Sequence, residues 1–317
     1  MVTQTATALL VTLAIAAVEP PSPLKGKLAL NVNNRPFATW SPGDGATHRP
    51  HFFDLRDARG ARLTRNHPPE EGVDPADHAD MHPGLWLAFG DVAGKDFWRN
   101  KGPVVTSRVV ANPSSKDGRG TFTVSNEYRD GDRAVCRETC RYAISNLPSG
   151  VLLTIDSTFS AAGDDVAFGD QEEMGLGVRV ATPLSVKQGG RILDGEGRRD
   201  EKEVWGKQAA WCDYGGRIDG KDAGIMLVPH PDNFRRCRFH ARDYGLLVAN
   251  PFGVKAFNAG PESRVVVKKG ENLRLRFGVL ARTCPGTPAA LTRAYEDCLR
   301  EMNSIHHGVT EDTEKRN

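Results

Sequence analysis

The chain has 317 residues, 39% of them hydrophobic, enough to bury a core as one large domain or two small ones. Its 42 Lys and Arg against 40 Asp and Glu leave a net charge of +2. With no concentrated positive field for phosphates, nucleic acid is excluded as the natural partner.

Residues 1–18 read as an export leader. The apolar run Ala8 to Ala17 is too short to span a bilayer as a helix, which takes about 20 residues. It has the length of a signal core and ends in small residues before Glu19-Pro20-Pro21, although no Lys or Arg precedes it. The expected location is periplasmic or secreted, with no membrane span in the mature chain.

The 33 glycines and 20 prolines, set between alternating apolar runs, indicate many strands joined by tight turns. Lys25 to Val32 is a first strand, turned by Asn33-Asn34-Arg35-Pro36 into Phe37 to Trp40. Arg49 to Arg56 is another. Asn66 to Trp86 then gathers three of the nine histidines and five carboxylates among four prolines, so it is a polar loop rather than a helix. His78, Asp80 and His82 alternate, and an extended backbone would project all three from one face. Gly84 to Val92 is a buried strand directly behind that loop, and Asp96 to Gly102 sets Phe97 and Trp98 among polar groups.

Thr121 to Tyr128 and Ala134 to Ser145 form a hairpin across Arg129-Asp130-Gly131-Asp132, followed by a strand from Val151 to Phe159. Their period-two alternation, in antiparallel order, indicates stacked sheets. Phe168 to Val180 is a second polar concentration, where Glu173 and Arg179 are expected to line one cleft and favour the ionised carboxylate. Glu203 to Gly216 carries Trp205 and Trp211. In a strand before Leu246 to Gly253, His240 and Arg242 share a face with Tyr244 in line. Ser263 to Lys268 and Asn272 to Leu280 form a last hairpin across Lys269-Gly270-Glu271. Thr287 caps a helix over 288–302 whose apolar stripe is Leu291, Tyr295, Cys298, Leu299 and Met302, and 304–317 is a polar tail.

The six cysteines have no metal or redox spacing. Cys136 and Cys140 would lie roughly 13 Å apart along a strand, beyond disulfide reach. Most of the six are expected to be small buried side chains.

Several motifs together resemble a bacterial family of secreted or periplasmic proteins labelled "PmoA". They are Asn66-His67-Pro68-Pro69, His82-Pro83-Gly84-Leu85-Trp86 through Gly90-Asp91-Val92, and Asp96-Phe97-Trp98. They continue with Gly169-Asp170, Glu173, Gly177-Val178-Arg179, Trp205-Gly206-Lys207 and Trp211-Cys212-Asp213-Tyr214. Arg242-Asp243-Tyr244-Gly245 and Ala249-Asn250-Pro251-Phe252-Gly253 complete them. A membrane methane-oxidising subunit needs several spanning helices, and no stretch after the leader supplies one. The resemblance instead implies an all-β, antiparallel β-supersandwich like that of galactose mutarotases, with one C-terminal helix, as a single domain over 24–303.

The expected function is an exported carbohydrate-active enzyme using His and Glu for general acid–base chemistry, as an epimerase or mutarotase, a lyase, or a hydrolase. His82 or His240 is the expected acid and Glu173 the base, with Arg179 and Arg242 orienting substrate. Trp86, Trp98 or Trp211 supplies a stacking face. His67, His78, Tyr244 and Asn250 complete the expected binding residues. No cofactor is expected and a carbohydrate is the expected partner. The alternatives are a metal-dependent enzyme drawing divalent-metal ligands from His67, His78, His82 and His240, and a non-catalytic glycan-binding module.

Overall fold

The computed structural model describes residues 13–14, 26–116 and 119–314, with only the backbone described for 13–14, 112–116 and 306–314. The expected leader lies outside the described residues except for β1 (Leu13–Ala14). The next strands are β2 (Leu28–Val32), β3 (Arg35–Ser41), β4 (His51–Phe53), β5 (Leu85–Phe89), β6 (Val104–Lys116) and β7 (Arg119–Asp130). Then come β8 (Arg133–Leu147), β9 (Gly150–Ala161), β10 (Val166–Phe168), β11 (Met174–Arg179) and β12 (Arg191–Asp194). After the short helix α1 (Asp200–Val204) follow β13 (Cys212–Ile218), β14 (Lys221–Pro229), β15 (Arg238–Arg242), β16 (Leu246–Asn250), β17 (Val265–Val267) and β18 (Asn272–Arg282). The long helix α2 (Pro288–Glu314) ends the described chain.

The front sheet has the order β1-β2-β3-β4-β5-β11-β16-β15, and the back sheet β12-β13-β14-β18-β9-β8-β7-β6. The ladders of both are antiparallel. Alternate residues of each sheet meet in one core. Trp40, Phe52, Phe89, Leu176, Val178 and Leu247 come from the front sheet, and Phe122, Ile155, Phe159, Ile225 and Phe277 from the back. The all-β expectation with a C-terminal helix is what the fold shows.

The outer face of the back sheet is covered by α2. Its stripe of Leu291, Ala294, Cys298 and Met302 packs on Leu152, Met226, Val228 and Leu280. The helix runs on past Met302, and Ile305 extends the buried stripe. The six cysteines are all unpaired, and five are buried.

The β7–β8 hairpin forms as its alternation requires, with Gly131 at φ +58° in the turn. The hairpin expected around Gly270 does not form. β17 pairs with β10 in a separate two-stranded sheet, while β18 lies between β14 and β9. The turn is local, but β18 gains eleven ladder positions against β9, and that non-local pairing decides its place.

Candidate active site on the front sheet

The outer face of the front sheet is fixed by strand parity. Leu85, Leu176, Val178, Phe239 and Leu247 point into the core, so their neighbours point outward. The registers His51↔Trp86, Trp86↔Gly177, Gly177↔Val248 and Val248↔His240 then set one row of residues straight across five strands. At Gly177 the row has no side chain, and an added Cβ would lie 2.8 Å from the Trp86 and Trp98 rings. The two indoles therefore close over that gap, edge to face with centroids 5.2 Å apart.

The polar loop from Asn66 to Gly84 folds down over Trp86. Its backbone is a series of turns, with His78 at φ +52° and the His82 N–H donating to the His78 carbonyl at 2.9 Å. The alternation of His78, Asp80 and His82 therefore does not put them on one extended face. Instead the turn stacks His78 on His82 (4.8 Å) and His82 on Trp86 (5.1 Å). Gly84, at φ +137°, then leads the chain into β5 where an added Cβ would lie 2.4 Å from the Phe52 carbonyl oxygen.

Three buried arginines hold this loop. Arg65 donates to the carbonyls of Pro75, Asp77, His78 and His82, and Arg49 to that of Met81. Arg179 does not meet Glu173. It makes a two-pronged pair with Asp77 at 2.8 and 2.9 Å and lies 4.4 Å over the Tyr244 ring. Burial would raise the Asp77 carboxyl, but Arg179 and His78 outweigh it and hold it at about 2. His82 is 3% exposed. Burial, together with His78, Arg179, Arg65 and Arg49 around it, pushes its imidazole down to about 2, so it is neutral.

The other end of the row carries a second cluster. His240 Nδ1 lies 2.8 Å from Glu172 Oε2. Arg242 bridges Glu172 at 3.0 Å and Glu201 at 2.9 Å, and Trp205 Nε1 donates to Glu172. Pairing with His240 is the main reason the Glu172 carboxyl stays below its ordinary range, against the opposing effect of burial. Asn250 donates to the Gln171 and Glu172 carbonyls and accepts from the Phe252 and Gly253 N–H groups. All its capacity is used in positioning the strand entry that carries Glu172.

Of the expected residues, His82, His78, Trp86, Trp98, Arg179 and Tyr244 form the stack, and His240 and Arg242 the second cluster. Three strand spacings separate the Trp86 and His240 positions, roughly 14 Å, so the two imidazoles share a face without touching. Glu173 is on the rim, paired with Arg99 at 2.7 Å. Trp86 and Trp98 are almost fully buried and lie under the His82–His78 stack, while Arg242 and Glu172 of the second cluster lie against Trp205 instead. Trp211 is not on this face. It packs beneath α2 on the back sheet, because an apolar strand entry there fills the helix–sheet layer.

Sequence reading missed Glu172, Asp77 and the anchoring Arg49 and Arg65, and it gave the third anchor, Arg179, to the substrate rather than to the loop. Glu172 adjoins Glu173 in sequence and could have been paired with His240 as easily. The carbonyls that Arg49 and Arg65 bind carry no residue-type signal. His67 is apart from the stack, with Nε2 on Asp44 Oδ2 at 2.9 Å and the buried His51 ring edge-on beside it. Asp44, His51 and His67 are the group among the described residues whose ligand atoms could converge on a metal ion.

Fold and face together define a two-sheet antiparallel β-sandwich with titratable groups collected on the outside of one sheet. The chain belongs to the family of unknown function DUF6807, whose model matches residues 27–296. No curated protein matches it. Among solved structures it is similar to a putative aldose 1-epimerase from Klebsiella pneumoniae, at 8% identity and TM-score 0.46, over 86% of this chain and 83% of that one. It is also similar to heparan sulfate lyase HepC from Pedobacter heparinus, at 8% identity and TM-score 0.41, over 84% of this chain and 37% of that one. A GalM/aldose epimerase homologue from C. elegans is similar at 9% identity and TM-score 0.31, over 88% of this chain and 100% of that one. The chain thus spans little more than a third of the lyase. No helix among the described residues is long and apolar enough to cross a membrane.

Proposed function

We propose that the protein is an exported carbohydrate-active enzyme that moves protons on a sugar or glycoside, as an epimerase or mutarotase, a lyase, or a hydrolase. The observation that carries this reading is the Glu172–His240–Arg242 cluster, an ionised carboxylate paired with an imidazole at the edge of an aromatic-floored face. Glu172 accepts a proton and His240 supplies or relays one, while Arg242 orients the carboxylate and adds to the pairing that keeps it ionised. Glu173 with Arg99, and His78 with Tyr244, offer hydroxyl-binding groups along the same rim. His82, being neutral, serves as a wall and a hydrogen-bond acceptor. Many of the pieces that resemble the PmoA-labelled proteins, among them His82 to Trp86, Gly177 to Arg179 and Arg242 to Gly245, fall on this face, which supports reading it as the working surface. Export rests on the apolar run at residues 8–17.

The test is turnover of a sugar panel by wild type, Glu172→Gln, His240→Ala and Glu173→Gln. Anomer exchange is followed by NMR, unsaturated products by absorbance, and new reducing ends by colorimetry. General acid–base roles predict losses on the order of 100-fold or more for Glu172→Gln and His240→Ala. Equal turnover in all four proteins would refute the assignment, and sugar binding with no turnover in wild type would replace the enzyme with a glycan-binding module.

A further inference from the structure

We infer that Asp44, His51 and His67 form a binding site for a first-row divalent cation at the β4 end of the aromatic row. Their ligand atoms all lie within 4.8 Å of one another. His67 Nε2 is 2.9 Å and His51 Nε2 3.7 Å from the same oxygen, Asp44 Oδ2. Metal–ligand bonds of 2.0–2.2 Å in a tetrahedron set ligand atoms roughly 3.3 Å apart, so small side-chain rotations close the set. Two imidazoles and one carboxylate suit Zn²⁺ or Fe²⁺ rather than Ca²⁺ or Mg²⁺.

The surroundings are those of a prepared ligand set. His51 Nδ1 donates to the Arg49 carbonyl at 3.0 Å, which fixes the tautomer and leaves a lone pair on Nε2. That Nε2 belongs to a residue 1% exposed and has no hydrogen-bond partner, an expensive arrangement for a group with nothing to bind. Asp44 Oδ1 accepts the Ala46 and Thr47 N–H groups, which turns Oδ2 toward the imidazoles. Three protein ligands leave at least one position open. Asp44, with its side chain 22% exposed, is the solvent side of the set, and His67 also lines a cleft of about 270 Å³ with Phe53, Asn66, Pro68 and Glu70. Of the histidines that sequence reading offered as ligands, only His67 belongs to this set. The other two members come from β4 and from the loop before it.

The inference does not rest on the sugar reading, because its readout is metal affinity. The full-length protein, stripped with a chelator, is titrated with Zn²⁺ against a chromophoric competitor, and with Co²⁺ to record its visible bands. One equivalent is expected in wild type. His51→Ala and His67→Ala should each weaken Zn²⁺ on the order of 100-fold. Asp44→Asn keeps the Oδ1 acceptor and the side-chain shape, so it should fold normally while losing at least about tenfold in affinity and changing the Co²⁺ bands. His230→Ala, remote beside Asn303, should bind as wild type does. Uptake well below one equivalent in wild type, or wild-type affinity in Asp44→Asn, would overturn the site and leave a purely structural hydrogen-bond cluster.

Discussion

The stack of His78, His82 and Trp86 ties the stability of the fold to pH. The folded value of about 2 for His82 lies far below the ordinary 6.5 of the unfolded chain. Between those values the unfolded state binds the extra proton, so stability is fully present above pH 6.5 and falls as the pH drops below it. At pH 5 the chain is 1.5 units below the unfolded value, which corresponds to a loss of about 2 kcal/mol relative to pH 8. Because the folded value is so far under 5, that loss depends almost entirely on the unfolded one. His82→Phe keeps a ring between His78 and Trp86 and removes the titration, and since His82 Nδ1 is buried without a partner, no bond from that atom is lost. Urea unfolding followed by far-UV circular dichroism at pH 8 and pH 5 gives the difference for each protein. The variant should lose about 2 kcal/mol less than wild type over that interval. Parallel pH dependence in the two proteins would show that His82 is not held neutral by this stack.

Two further substitutions test the packing beneath the site and opposite it. Gly177→Ala drives a methyl into the Trp86 and Trp98 rings at 2.8 Å and should cost about 1–3 kcal/mol, read as a lower Tm with altered tryptophan fluorescence; an unchanged Tm would mean the indoles do not close over the row. Arg282→Met strips the partner from Asp213, with which Arg282 makes a fully buried two-pronged pair at 2.6 and 2.9 Å in space left by Gly215 and Gly224. It should cost about 3–5 kcal/mol in urea unfolding, and adding Asp213→Leu should recover much of that by removing the stranded charge.

Short-range physics made much of the fold legible. The alternation of Thr121 to Tyr128 and of Ala134 to Ser145 sets which side chains face the core, and Gly131 supplies the φ the turn needs. Thr287 and Pro288 start α2 where capping chemistry places them. The same parity put His240 and Arg242 on one face of β15 before any partner strand was known. Residues near in sequence interact whatever the rest of the chain does, so composition and spacing carry that information.

The site depended on pairings the sequence does not encode locally. Gly177 meets Trp86 and Val248 across gaps of 91 and 71 positions, and only those registers draw His51, Trp86 and His240 into one row. Arg179 takes Asp77 rather than Glu173, and His240 takes Glu172, because the loops that cover the front sheet deliver those carboxylates. Arg65 spends its donors on backbone carbonyls, and Arg49 does so apart from one bond to Asn100 Oδ1, and carbonyls are something every residue possesses. The residues themselves chose strands, turns and the helix, since those answer to local sterics and alternation. Which histidine stands beside which acid was decided by long-range register and loop closure, where the energies are shared among dozens of contacts and no short stretch holds the answer.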